Sequence, residues 1–371
     1  MIFNKTYIIF IFLIFTLYCF SKTFTNCKRL QTAPNQLTTH APTQLTLLGR
    51  YLFFDRRLSV NNTRACGTCH NPQFAFTDGY KRSLGAFADL HQRNTQPLFN
   101  LASLKYFTSA DSTLHTALQQ MENPLYNTHP IEMGVQGNEE FILKRISTDT
   151  FYKKLFSEAN VPIQWQPIKL ALAQFVNSIS STNTAYDKFL KGNVAALSQN
   201  EKAGMNLFFS ANLNCNSCHG GKNFNTPSHL NVKGDTIFYY NTGLYNIDGS
   251  GAYPTYDIGL AAHTKNKKDV GAYRVPTLRN LAYTAPYLHD GSAATLLEII
   301  DNYSKAGRVI ANGIHKGDGR KNIYKHSAIK GFAISDKEKQ QLLSFLLALG
   351  DSNFINTPEY KNPFLEDETK R

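Results

Sequence analysis

The sequence predicts a mainly α-helical chain, built as two similar modules with long irregular loops. Three observations carry this: apolar residues recur at helical spacing, capping boxes mark helix starts, and one compound motif occurs twice. The chain has 371 residues, 42% hydrophobic and 18% charged, enough for each module to bury its own core. That composition excludes intrinsic disorder, collagen-like repeats and coiled coil. The net charge is +12, from 39 Lys and Arg against 27 Asp and Glu. No basic run exceeds a pair such as Lys267-Lys268 or Arg320-Lys321, so no nucleic-acid stripe is visible and no such partner is expected.

Taken in order, residues 1–22 read as an export signal or anchor. Lys5 precedes an apolar stretch from Ile8 to Leu17, and ~10 apolar residues fit a signal peptide but fall short of the ~20 of a spanning helix. The Tyr18-Cys19 step lacks the small residue that peptidases favour, so a membrane tether, by an uncleaved anchor or a lipidated Cys19 or Cys27, stays open. Residues 23–42 are a linker without periodicity. The first module, 43–190, opens with Leu45, Leu48 and Leu52 at helical spacing, runs through Leu52-Phe53-Phe54, and reaches Cys66-Gly67-Thr68-Cys69-His70. An amphipathic helix follows from Pro167 to Ile179, with Ile168, Leu172, Phe175 and Ile179 on one face.

The second module, 191–355, repeats the pattern. Ser198 and Glu201 form a capping box, and the helix runs into Leu207-Phe208-Phe209 before Cys215-Asn216-Ser217-Cys218-His219. From Phe224 to Tyr273 the chain is rich in Gly, Asn and Tyr, which predicts loops with a short hairpin. Thr295 and Glu298 start a helix whose Leu296, Ile299, Ile300 and Tyr303 share a face. Ser335 and Glu338 cap the last helix, closed by Gly350, and residues 356–371 read as a tail.

The two Cys-x-x-Cys-His segments carry the chemistry. Two thiols three residues apart can bond both vinyl groups of one haem, and the adjacent His then lies beneath the iron as its proximal ligand. Zinc held between the two pairs competes, but 146 residues separate Cys69 from Cys215 and zinc has no need of the following His. A redox dithiol needs one pair in a thioredoxin-like setting. Two such His residues by chance have a probability of about one in a thousand. Each module is therefore expected to be a cytochrome c-like haem domain: Cys66, Cys69 and His70 hold one haem c, and Cys215, Cys218 and His219 the other. Export would keep these thiols outside the reducing cytosol.

From about residue 43 to about residue 350 the chain resembles the bacterial di-haem cytochrome c peroxidases and their MauG-type relatives. The resemblance lies in Leu52-Phe53-Phe54-Asp55 with Arg57-Leu58-Ser59, Phe76-Thr77-Asp78-Gly79, Arg93-Asn94-Thr95 and Ile131-Glu132-Met133-Gly134. The most specific block runs from Arg274-Val275-Pro276-Thr277-Leu278-Arg279-Asn280 to Thr284-Ala285-Pro286-Tyr287-Leu288-His289-Asp290-Gly291. It implies that hydrogen peroxide reacts at the first haem, with Glu132 as the distal acid–base residue and Gln120 beside it. It also implies a calcium ion between the domains, at Asn94, Thr284 and Pro286. The implied partner is a small electron-donor protein, cytochrome c or cupredoxin, or in MauG-type members a protein substrate, and the implied compartment is the periplasm.

Three departures matter. Ordinary members place a His that caps the first iron after Ser-x-Gly, but here Ala86 follows Ser83-Leu84-Gly85, and His91 reads as a solvated loop residue. Where they place a Met ligand to the second iron, 14 residues after His289, this chain has Tyr303, as MauG-type members do. The usual Trp between the haems is replaced by Phe107-Thr108-Ser109-Ala110-Asp111, leaving Tyr106, Phe107 or a direct path for electrons; Trp165 reads as core. The sequence favours a di-haem peroxidase of MauG-like type, over a MauG-like oxidase of partner side chains and a non-catalytic electron carrier.

Overall fold

The computed structural model describes residues 43–226 and 238–366; the expected signal segment and linker, with Cys19 and Cys27, lie outside the described residues. None of the described helices is long and apolar enough to cross a membrane. Seven described helices have nine residues or more: α1 Gln44–Phe54, α2 Glu139–Thr148, α3 Thr150–Glu158, α4 Trp165–Ser178, α5 Gln199–Phe208, α6 Leu296–Ser304 and α7 Asp336–Leu347. Among the described residues, strand is confined to two short antiparallel pairs, Tyr239–Tyr240 (β1) with Tyr273–Arg274 (β2), and Val309–Ile310 (β3) with Gly317–Asp318 (β4). The chain is mainly helical, as its periodicity predicts.

The capping boxes at Ser198/Glu201 and Ser335/Glu338 form as expected. At α6 the Thr295 hydroxyl accepts from the Glu298 N–H, but the Glu298 carboxylate reaches back to the Ala294 N–H (2.8 Å) instead of closing on Thr295.

The two largest apolar cores among the described residues each rest on one helix crossing. In the first, α1 packs on α4, with Leu48, Leu52, Phe53, Leu172 and Phe175 buried. In the second, α5 packs on α7 around Phe208, Leu342 and Phe345. Both crossings use a glycine three residues before the Leu-Phe-Phe run. A methyl group on Gly49 would overlap the Ala171 carbonyl and meet Phe175, and one on Gly204 would overlap the Gln341 carbonyl and meet Phe345. The backbones approach that closely only without a Cβ. Gly204→Ala should therefore destabilise the protein by about 1–3 kcal/mol although alanine is the better helix former. An unchanged denaturant midpoint would show that the crossing yields.

The repetition extends to the connections. Asn100 and Asn280 both adopt left-handed backbone (φ 55° and 62°) and each starts a 3₁₀ turn. Their side chains converge on the buried Ser181: Asn100 exchanges two hydrogen bonds with its backbone, and the Asn280 amide donates to its hydroxyl. Asp351 accepts from the Asn183 N–H and donates its own N–H to the Asn280 side chain. The two cores thus share one buried polar junction. The segment after 355, read from the sequence as a tail, instead packs on the first core through Tyr360 and Phe364.

Candidate haem sites

Cys66–Cys69 form a single helical turn, and Cys215–Ser217 a 3₁₀ turn. All four cysteines are free, half-buried thiols. After each turn the His ring is fixed by the same device: His70 Nδ1 lies 2.8 Å from the Phe76 carbonyl and His219 Nδ1 lies 3.0 Å from the Phe224 carbonyl. A carbonyl accepts only, so Nδ1 carries the proton and donates, and Nε2 keeps its lone pair for a metal. Phe76 and Phe224 both turn left-handed to present those carbonyls, with φ of 62° and 54°. That conformation is unfavourable for a phenylalanine, and the backbone bridges Asn71–Thr77 and Gly220–Thr226 impose it.

Burial lowers the pKa of both His rings, which keeps them neutral as ligands must be. It pushes the thiols up, Cys66 and Cys215 to about 12 and Cys69 to about 11, far from a reactive redox dithiol. Among the described residues no three or more His, Cys, Asp or Glu gather to hold a metal ion, so the two pairs do not form a shared zinc site. Protonated thiols flanking a neutral His with a free Nε2 fit a covalently attached haem at each motif.

Glu132 sits on the segment facing the first motif, where its charge is felt at both Cys66 and Cys69. The segment is pinned by Met133 N–H to Pro124 O, Val135 N–H to Leu125 O and Val60 N–H to Met133 O. Across from it, the Ala86 N–H is shared between the Ile131 and Glu132 carbonyls (2.9 and 3.0 Å), and Asn61 donates to the Ala86 carbonyl. A methyl group on Gly85 would overlap the Ile131 carbonyl. The 83–91 loop is therefore clamped, with the Ala86 methyl buried. Burial pushes the Glu132 carboxyl up to about 7 although its side chain keeps 31% of its exposure.

His91 corrects the sequence reading. It is not a solvated loop residue: its side chain is 19% exposed and Nδ1 lies 3.8 Å from Glu132. The contact arises because the His91 N–H bonds the Ser83 carbonyl and folds the loop back on itself, a non-local closure that no spacing signals. Gln120 is half-buried and accepts from Asn123 at 3.5 Å, without a hydrogen bond to Glu132. Its neighbour Gln119 is consumed by the capping box at Thr116.

At the second motif, Tyr303 lines a cavity with Thr242, Leu244, Leu288, Ile299 and Asn302. Its phenol is pushed up by burial and then by the nearby Cys218 and Cys215. Leu296 and Ile300 of the same helix enter the second core while Tyr303 faces the cavity. Asn94 is bound by its N–H to the His289 carbonyl (2.8 Å), and its amide donates to the Tyr80 carbonyl (2.9 Å). Thr284 is buried, and Pro286 follows a cis peptide bond. The Asn94–His289 bond sets Asn94 beside the segment that carries Thr284 and Pro286.

Other residues join the two halves, and sequence reasoning missed what they do. Arg93 forks onto the buried Asp257 (2.8 and 2.6 Å) and lies over the Tyr273 ring at 5.7 Å; within the second half, Tyr273 stacks on His289 with centroids 3.7 Å apart. At the segment that lacks the Trp, Phe107 packs on the first core while Tyr106 meets Tyr239 of the second half at 5.8 Å.

Residues 43–195 match the family described as di-haem cytochrome c peroxidase. A MauG-like protein associated with microbial copper homeostasis has a solved structure 38% identical to this chain, with a TM-score of 0.84, covering 90% of this chain and 97% of that one. The cytochrome-c peroxidase IdrP2 of Pseudomonas sp. (strain SCT) is 29% identical over 84% of this chain and 83% of its own length. The methylamine utilization protein MauG of Methylophilus methylotrophus is 28% identical over 87% of both. Duplicated Cys-x-x-Cys-His turns, paired histidine anchors and these likenesses agree: the chain belongs to the di-haem cytochrome c peroxidase and MauG family, which implies two c-type haems.

Proposed function

We propose that this protein is an exported, periplasmic di-haem peroxidase of MauG-like type, in which hydrogen peroxide is reduced at the first haem with electrons passed through the second. The observation that supports the reading is Glu132, close enough to Cys66 and Cys69 for its charge to be felt there, beside a loop with Ala86 in place of a capping His. Bound haem supplies the iron at which the O–O bond is cleaved. Glu132 contributes the proton traffic: as carboxylate it accepts a proton from the attacked peroxide and returns it to the departing oxygen, so that one peroxide, two electrons and two protons leave as two waters. Gln120, and calcium at Asn94, Thr284 and Pro286, belong to the same reading.

Clamping of the 83–91 loop bears on how the enzyme starts. A capped iron has to be uncovered by reduction before peroxide can bind. With Ala86 in place, the fully oxidised holoprotein should react with peroxide in a stopped-flow mixer with no lag. A lag abolished by pre-reduction would show that another side chain, His91 first among them, covers the iron and would overturn this part of the proposal. Tyr303 favours a second reading, in which oxidising equivalents stored on both haems are drawn from side chains of a partner protein. A pure electron carrier has less support, because such proteins fill both axial positions and have no use for a distal carboxylate.

A further inference from the structure

The protein's positive charge is concentrated. The 26 residues from Lys305 to Lys330 hold seven Lys and Arg against the single carboxylate of Asp318, a net of +6 in a chain of +12. Asp318 is itself engaged by Arg320 (2.7 and 2.8 Å). The β3–β4 hairpin carries the segment outward, and Lys305, Lys316, Arg320, Lys321 and Lys330 are all exposed. Large apolar side chains stand exposed among them: Ile314 at the hairpin tip is 87% exposed, Ile323 65% and Val309 52%. Isolated exposed apolar residues are ordinary, but three interspersed with exposed cations along one segment make the composition of a docking surface. The neighbouring exposed acid is Asp248, whose carboxylate is occupied by the Ser250 and Ala252 N–H groups.

The inner side of this segment is tied to the second site. Arg308 N–H donates to the Gly243 carbonyl (2.9 Å), between the two cavity residues Thr242 and Leu244, and His326 N–H donates to the Asn241 carbonyl (2.9 Å). Tyr240, whose phenol feels Cys218, meets the His326 ring at 4.6 Å. A partner seated on the outer side would thus stand one chain layer from the Tyr303 cavity.

We propose that residues 305–330 form the docking surface for a small acidic redox protein, steered by the exposed Lys and Arg and seated on Ile314 and Ile323. What the docking achieves rests on the peroxidase reading; where it occurs does not. Opposite charge raises the encounter rate and selects the partner, and the apolar centre holds it.

The test uses the holoprotein and two carriers of opposite charge, an acidic plastocyanin and a strongly basic mitochondrial-type cytochrome c, with uncharged hydroquinone as control reductant. Peroxide-driven oxidation of the acidic carrier should be faster than that of the basic one. It should fall on the order of tenfold both at high salt and in the Lys316→Glu/Lys321→Glu double variant, while hydroquinone turnover stays unchanged. Calorimetric binding of the acidic carrier at low salt should weaken in parallel. Preference for the basic carrier, or indifference of both binding and rate to the charge reversal, would overturn the proposal. So would charge-dependent capture by anionic lipid vesicles without binding of the acidic carrier. If no reductant supports peroxide turnover yet the charge reversal still weakens binding, the surface stands and the peroxidase reading fails.

Discussion

Glu132→Gln should slow the reaction of the oxidised holoprotein with hydrogen peroxide by on the order of a hundredfold, the scale of lost general acid–base help. The resting haem spectrum should hardly change, because the amide keeps the size of the side chain. The pH dependence gives an independent check. Burial raises the Glu132 carboxyl to about 7, so below that value it is protonated and cannot accept a proton. The rate constant should therefore rise with pH through about 7 and level off above it, and the variant should lose this step. Other charged groups face the same place: His91 at 3.8 Å, Asp89 on the Ile131 N–H, and Arg64 on the Gly85 carbonyl. Burial pulls His91 below its ordinary value, so its own step lies on the acid side of that of Glu132. A rate within about threefold of the parent would return Glu132 to the ranks of surface carboxylates.

Tyr303→Phe should convert the second haem from low spin to high spin and raise its reduction potential. Burial holds the phenol up, so it gives up its proton only where a cation replaces the lost hydration. An anionic oxygen ligand then stabilises the ferric state more than water or an open position does. The folding effect should be modest, since phenylalanine keeps the ring among Leu244, Leu288 and Ile299. A spin-resonance spectrum identical to the parent's would assign Tyr303 to packing alone. It would also withdraw the chief support for an oxidase acting on a partner protein.

What could be read from the sequence was local. The capping residues Ser198 and Ser335, the stripe on α4 and the Cys-x-x-Cys-His turns each state their structure within a few residues, because helix ends and covalent attachment depend on short spacing. The duplication was visible in Leu-Phe-Phe, but not its reason: that Gly49 and Gly204 let helices cross depends on partners more than a hundred residues away. His91 was misplaced for the same cause, since a loop folded onto residues 131–132 has no periodicity to reveal it. Gln119 closes the Thr116 cap, a Thr-x-x-Gln spacing open to reading, and Gln120 lies outside it. The Arg93–Asp257 fork joins positions 164 residues apart and left no trace beyond the motif around Arg93.

The returning C-terminal segment bears on the order in which the protein matures. Phe354 and Tyr360 lie against Phe76, the residue whose carbonyl orients His70, and Pro358 and Lys361 offer carbonyls to Arg50 on α1. The pocket of the first haem is thus walled in part by residues that follow the whole second module. The first half closes only once residues 354–364 have docked, whereas α5 through α7 supply the second core without them.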